Sequence, residues 1–324
     1  MNILRFRRWR NHPVLRHLLE DVFFFPQHLI CPLFIGESTF IHPELPGMSI
    51  YSLLDLPQKI KTLSHLDLHC FVLFPSTDKK DASGTESLNP RGLIPKAIDI
   101  IKKTNPKAVI FADVALDPYT DHGHDGILDK NSLVDNEKTV LALEKMSLLL
   151  AGAGADFIAP SDMMDGRVWA IRNALDAQGF LSTGILSYAA KYASAFYGPF
   201  RSAVKAPAHS LDKKSYQLSP QHKNIGISES LEDVKEGADG LIVKPGVCYL
   251  DILSKLKSLV HIPLVSYHVS GEYAMLRYAS IHNALDEQRA VLETLHAFRR
   301  AGADGVITYY AEDYARWHRA SLKL

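Results

Sequence analysis

A lysine set among uncharged residues is a candidate amine nucleophile, and this sequence places Lys244 in the stretch GLIVKPG. Such a lysine must snorkel, pair with an acid or lose its proton, because burial disfavours the ammonium. At its ordinary pKa a lysine holds on the order of 0.1% neutral amine or less at pH 7. Attack on a carbonyl needs that neutral form, so a catalytic lysine is desolvated or set near another cation. Lys191, in SYAAKYASAFYGPF, follows the neighbouring apolar run. Two lysines on adjacent strand ends are expected to lower each other's pKa. For each of them an ion-paired strand-end lysine is the alternative.

Other polar residues fall at similar places. Asp113 lies in an apolar run, and Ser161 and Asp162 follow one. Ser270 and Tyr309 could give hydroxyl hydrogen bonds to a carboxylate. Arg201, in YGPFR, and Lys213 and Gln217, in DKKSYQ, could hold an anion; for Lys213 a simply solvated lysine is the alternative. A keto group for lysine and a carboxylate for these donors together describe a small keto acid.

The elements that must position these groups read as alternating strands and helices. Strand-like runs cover Leu29–Ile35, Cys70–Pro75, Ala108–Leu116, Asp156–Ser161, Gly184–Tyr188, Gly240–Pro245, Pro263–Val269 and Gly305–Tyr310. Most are continuously apolar, as strands buried on both faces of a parallel sheet are. Amphipathic helical patterns cover Asn136–Ala151, Glu229–Lys235, Leu250–Leu259 and Glu287–Ala301. Gly-Ala-Asp precedes a strand run at residues 154–156, 237–239 and 302–304. Each copy reads as a helix-closing glycine followed by strand entry. The pattern predicts an α/β fold, a (β/α)8 TIM barrel, over an open doubly wound sheet. In such a barrel the active site lies at the C-terminal ends of the strands, where the polar residues above converge. The polar stretch 205–223 is then a loop on that face, placed to act as a lid.

Residues 1–25 are basic but carry Phe6, Trp9 and Leu15, which favours an N-terminal arm that docks in an oligomer over a solvated terminus; residues 26–324 are expected to form the catalytic barrel. Lysine plus arginine equals aspartate plus glutamate at 36 each, so nothing global points to nucleic acid or an anionic membrane. No apolar run approaches the roughly 18 residues of a transmembrane span. Glu20 and Asp21 interrupt any secretory pattern. Cys31, Cys70 and Cys248 lie far apart, read as buried reduced thiols and favour a cytoplasmic location.

The segments SYAAKYASAFYGPFR, DKKSYQ, LIVKPGVCYLDI, VSGEYAML and GADFIAPSDMMDGR, with the opening RFRRWRNHPVLR, closely resemble the porphobilinogen synthase (5-aminolevulinate dehydratase) family. The similarity runs in order from about residue 5 to about residue 315. It implies a barrel lyase of heme biosynthesis, usually a homo-octamer, that condenses two 5-aminolevulinate molecules to porphobilinogen with loss of two waters. By this resemblance Lys244 forms the Schiff base with the first substrate and Lys191 holds the second. Ser270 and Tyr309 bind the first carboxylate, and Arg201 and Gln217 contact the second substrate. Lys213 stands where many members have arginine, keeping the charge but losing the bidentate fork. Asp113 matches an aspartate beside the lysines, suited to proton transfer.

Zinc-dependent relatives carry three cysteines where DVALDPYTDHGHDG has Ala115, Asp117 and Asp125. The resemblance therefore implies the aspartate-rich, magnesium-type branch, in which Asp117 and Asp125 could face Mg2+ or no tightly held ion. Glu229 matches a glutamate that binds an allosteric Mg2+ away from the active site; a plain role at a helix start is the alternative. His122 and His124 lack a clear set of further ligands and read as loop residues. Two other functions stay open on the residues alone: a class I aldolase-type lyase that needs one lysine, and a non-catalytic barrel scaffold.

Overall fold

A computed structural model describes residues 3–205 and 212–322, so part of the expected lid, residues 206–211, lies outside the described residues. Nine strands form one parallel sheet: β1 (Leu29–Gly36), β2 (Ile50–Ser52), β3 (Cys70–Ser76), β4 (Val109–Val114), β5 (Phe157–Pro160), β6 (Gly184–Lys191), β7 (Gly240–Lys244), β8 (Leu264–His268) and β9 (Gly305–Thr308). The order β2-β1-β3-β4-β5-β6-β7-β8-β9, with β1 also paired to β9, closes eight of them into a barrel and leaves β2 on the outer part of β1. The expected fold is the observed one. β1, β7 and β8 are buried along their whole length, because side chains on one face fill the barrel and those on the other meet helices.

The three Gly-Ala-Asp copies explain part of the closure. Gly154, Gly237 and Gly302 have φ of 103°, 105° and 109°, a region open to glycine, and each ends a helix. The aspartates then clamp the preceding strand. Asp156, Asp239 and Asp304 each donate a backbone N–H to the first strand's carbonyl, at Ile110, Ile185 and Leu264 respectively. Their carboxylates accept the N–H of those same residues at 2.7, 2.7 and 2.9 Å. One joint therefore sets the register of β5 on β4, β7 on β6 and β9 on β8.

The helix expected at Glu229–Lys235 begins earlier and spans Asn224–Lys235. Gly226 weakens the helical pattern there, yet only glycine fits: a Cβ would lie 2.5 Å from the Tyr192 hydroxyl. The arm carries a short turn at Phe6–Trp9 and a helix at Pro13–Leu18, neither with a buried residue. Leu4, Phe6, Val14 and Leu18 are exposed, and firm packing on the barrel starts at Phe24, whose carbonyl accepts the Tyr314 hydroxyl at 2.6 Å. Of the three thiols expected to be buried only Cys31 is; Cys70, at the strand start, is half-buried and Cys248, in the turn after the Lys244 strand, is exposed.

Candidate active site

A bulge in β6 creates the site. Leu186 pairs with Gly240 and Ser187 with Leu241, but Ala190 pairs with Val243 and Lys191 with Lys244. The extra residue between Ser187 and Ala190 puts Leu186 and Lys191, five apart, on one face. In a regular strand Lys191 would point away from the interior, because alternation reverses over five residues. The bulge turns it into the barrel beside Lys244, and each lysine is only 6% exposed.

The two amines meet different surroundings. Lys244 Nζ sits in an aromatic cage, 4.5 to 5.2 Å from the ring centroids of Tyr188, Tyr197, Phe200 and Tyr267. Among the described residues it has no ion-pair partner. Such rings favour a cation modestly. Burial and the charge of Lys191 outweigh them and bring the Lys244 pKa down to about 7, against the pull of Asp113.

Lys191 Nζ donates to Asp125 Oδ2 at 2.9 Å and to the Ser161 carbonyl. Burial disfavours its ammonium, but the Asp125, Asp117 and Asp113 carboxylates prevail and the pKa is raised. The expectation that both lysines lower each other thus holds for Lys244 alone. Sequence patterns gave no sign of Asp125 as the partner, because it lies in an irregular loop 66 residues away.

Asp125 is the electrostatic centre of the second half of the site. It is fully buried and also accepts from Lys213 Nζ and, at 3.1 Å, from Gln217 Nε2. Burial alone would raise its pKa; Lys191 and Lys213 hold it well below the usual carboxylate range. Asp117 lies 3.7 Å from Lys213. Expected as metal-facing groups, Asp117 and Asp125 instead hold ammonium groups. Such a pair, already neutralised by two lysines, does not fit a divalent cation. Among the described residues no group of three or more His, Cys, Asp and Glu side chains could hold a metal ion. Asp125→Asn is expected to lower the thermal unfolding midpoint, since uncoupling a buried ion pair costs roughly 3–5 kcal/mol. The stabilisation exists above the ordinary carboxylate range and is lost as pH falls toward the depressed folded-state value. An unchanged midpoint near neutral pH would refute the pairing.

Asp113, in β4, feels the charge of both lysines. Its Oδ2 accepts from Ser161 Oγ at 3.2 Å, while its buried Oδ1 has no hydrogen-bond partner among the described residues. Burial raises its pKa to about 7, against the pull of both lysines, so it can exchange a proton near neutral pH. The Tyr309 hydroxyl meets that of Tyr267, a cage ring, at 3.1 Å. Ser270 Oγ accepts the Phe200 N–H at 3.0 Å and so touches the segment that carries a cage ring. Arg201, next to Phe200, is exposed. His122 and His124 are loop residues, bonded to the Ala82 carbonyl and the Tyr216 hydroxyl. Tyr188, Tyr197, Phe200 and Tyr267 were not singled out by sequence; the clustering of aromatics around Lys191 was the available signal.

Glu229 is not part of this mouth. It is half-buried on the outer helix Asn224–Lys235, one turn before Asp233. Burial first, then Asp233 and Asp165, raise its pKa to about 7 against the pull of Arg167. Arg167 is committed to Asp233, at 2.6 and 3.0 Å, and to Ser187 of β6 at 3.0 Å.

A family profile described as delta-aminolevulinic acid dehydratase matches residues 3–317. The chain belongs to this family. Delta-aminolevulinic acid dehydratase of Bacillus subtilis is 40% identical over 316 residues, covering 97% of this chain and 97% of the relative. The chloroplastic enzyme of Oryza sativa subsp. japonica is 43% identical over 317 residues, covering 95% of this chain and 74% of the relative. The solved structure of the Toxoplasma gondii enzyme, in complex with the reaction product porphobilinogen, superposes with a TM-score of 0.95 at 45% identity, covering 98% of this chain and 92% of that one. An aldolase structure matches at a TM-score of 0.50 and 11% identity, which reflects the barrel alone.

Proposed function

We propose that this protein is a porphobilinogen synthase, a lyase that condenses two 5-aminolevulinate molecules to porphobilinogen with loss of two waters, supplying tetrapyrrole biosynthesis. The observation that carries this reading is the register that pairs Lys191 with Lys244, two buried amines side by side in a chain of this family. Lys244 takes the ketone of the first substrate as an imine, with Ser270 and Tyr309 on its carboxylate. Lys191 takes the second ketone, with Lys213, Gln217 and Arg201 as its polar surroundings. Each imine forms with release of one water and makes its carbon an electron sink. Carbon–carbon and carbon–nitrogen bond formation then return both lysines as free amines. Asp113 and Asp117 carry protons. Holding both substrates makes the bond-forming step local, an advantage of up to roughly 7–11 kcal/mol. The exposed apolar arm fits a homo-oligomer, an octamer by family likeness, and a cytoplasmic enzyme fits an arm and barrel in which no described helix could cross a membrane.

Mg2+, where it acts, does so through Glu229 rather than through Asp117 and Asp125. A cation beside the half-buried Glu229 would favour its ionised form, against the burial that pushes its pKa up to about 7. Thiolate-held zinc has no support at residues 115–125, since the cysteines are Cys31, Cys70 and Cys248. The test is porphobilinogen formation from 5-aminolevulinate by protein stripped of metal and then given Mg2+ or Zn2+. Product is expected, with any rise produced by Mg2+ and not by Zn2+, and Glu229→Ala is expected to erase that rise. An equal Mg2+ response in Glu229→Ala and parent would refute the metal assignment; no product under any condition would refute the enzyme.

A further inference from the structure

Glu272 holds a carboxylate that the proposed chemistry does not use. It is the third residue of the helix Ser270–Ile281 and is 1% exposed. Its Oε2 accepts the Val269 N–H at 2.9 Å, which caps its own helix. Its Oε1 reaches the neighbouring loop and accepts the Val247 N–H at 2.8 Å. Capping needs only the first bond, and burying a carboxylate is costly. Burial pushes its pKa up to about 7, while the backbone N–H groups of Val269 and Val247 oppose the rise. Among the described residues no lysine, arginine or histidine pairs with it.

The positions of the two donors matter. Val247 lies three residues after Lys244, and Val269 directly precedes Ser270. One carboxylate therefore ties the loop behind the imine-forming amine to the loop that presents the carboxylate-binding hydroxyl. The backbone beside both donors is closely packed. A Cβ at Gly246 would lie 2.7 Å from the Phe298 ring, and one at Gly271 would lie 2.6 Å from the Phe196 carbonyl.

We propose that Glu272 is a positioning residue that fixes the span from the Lys244 amine to the Ser270 hydroxyl, and so selects 4-oxo acids over keto acids of other lengths. This rests on the Schiff-base reading of Lys244. The experiment is borohydride trapping on the whole protein with 4-oxopentanoate or 5-oxohexanoate, reading the adduct on the Lys244 peptide by mass spectrometry. The parent is expected to trap the shorter acid preferentially. Glu272→Gln keeps the side-chain shape, but its amide nitrogen must face one backbone N–H, so one of the two ties breaks. The preference is expected to fall by about tenfold, the scale of one hydrogen bond to a charged group. Glu272→Asp, one methylene too short to reach both loops, gives the same comparison should the glutamine variant not fold. A purely structural role would slow both acids alike, and an unchanged ratio in either variant overturns the proposal. No Lys244 adduct in the parent with either acid would overturn the Schiff-base reading itself, and this inference with it.

Discussion

Lys244→Ala is expected to abolish porphobilinogen formation and to remove the borohydride adduct of the first substrate, with a loss of activity of at least about a thousandfold. The size follows from what no other group can supply. Lys244 is a buried amine whose pKa is brought down to about 7. That gives it on the order of a thousand times more neutral amine at pH 7 than an ordinary lysine. The same shift fixes the sign of the pH dependence. Imine trapping at Lys244 should rise between about pH 6 and pH 8 as the ammonium loses its proton, then level off. An ordinary lysine would keep gaining to above about pH 10. A trapping rate still climbing steeply at pH 9, or full activity in Lys244→Ala, would remove this residue from the mechanism.

The cage around that amine shows what sequence can and cannot convey. Lys244 itself was legible, because a charge in a continuously apolar strand demands a reason. The Gly-Ala-Asp joints were legible as helix-to-strand turns, since the glycine requirement is local. Their second task was not: the aspartate clamp on the preceding strand depends on which strands are neighbours. The bulge in β6 likewise has no local signature. The apolar run read from sequence stopped at Tyr188, whereas the strand continues to Lys191 and carries its side chain inward. β2, only three residues long, is too short for any periodicity to register.

Charge partners were the least legible. Asp117 and Asp125 were recognisable as carboxylates in an unusual place, and hard metals were the natural thought for oxygen ligands. Only the folded arrangement delivers Lys191, from the end of β6, and Lys213, from a distant turn, to Asp125. Once they arrive, the carboxylate is neutralised by ammonium groups. The same geometry separates the lysines electrostatically. Asp125 keeps Lys191 charged, and that charge helps to discharge Lys244.

That asymmetry leads to the expected behaviour of Lys191→Ala. Condensation should fail by a factor comparable to that for Lys244→Ala, because the second ketone loses its amine. The first imine should survive, and borohydride should still mark Lys244. Its pH profile should move, though. Lys191 is the largest charge lowering the Lys244 pKa, after burial. With it gone, Lys244 holds its proton to higher pH, and the rising limb of trapping shifts upward. Asp125 loses one of its two ammonium partners in the same variant. Its negative charge then favours the Lys244 ammonium more strongly, which adds to the shift in the same direction. An aldolase-type lyase with one essential lysine would instead keep its turnover in Lys191→Ala. Retained condensation in that variant, or a limb that moves downward, would contradict a mechanism in which one amine is kept charged so that its neighbour can react first.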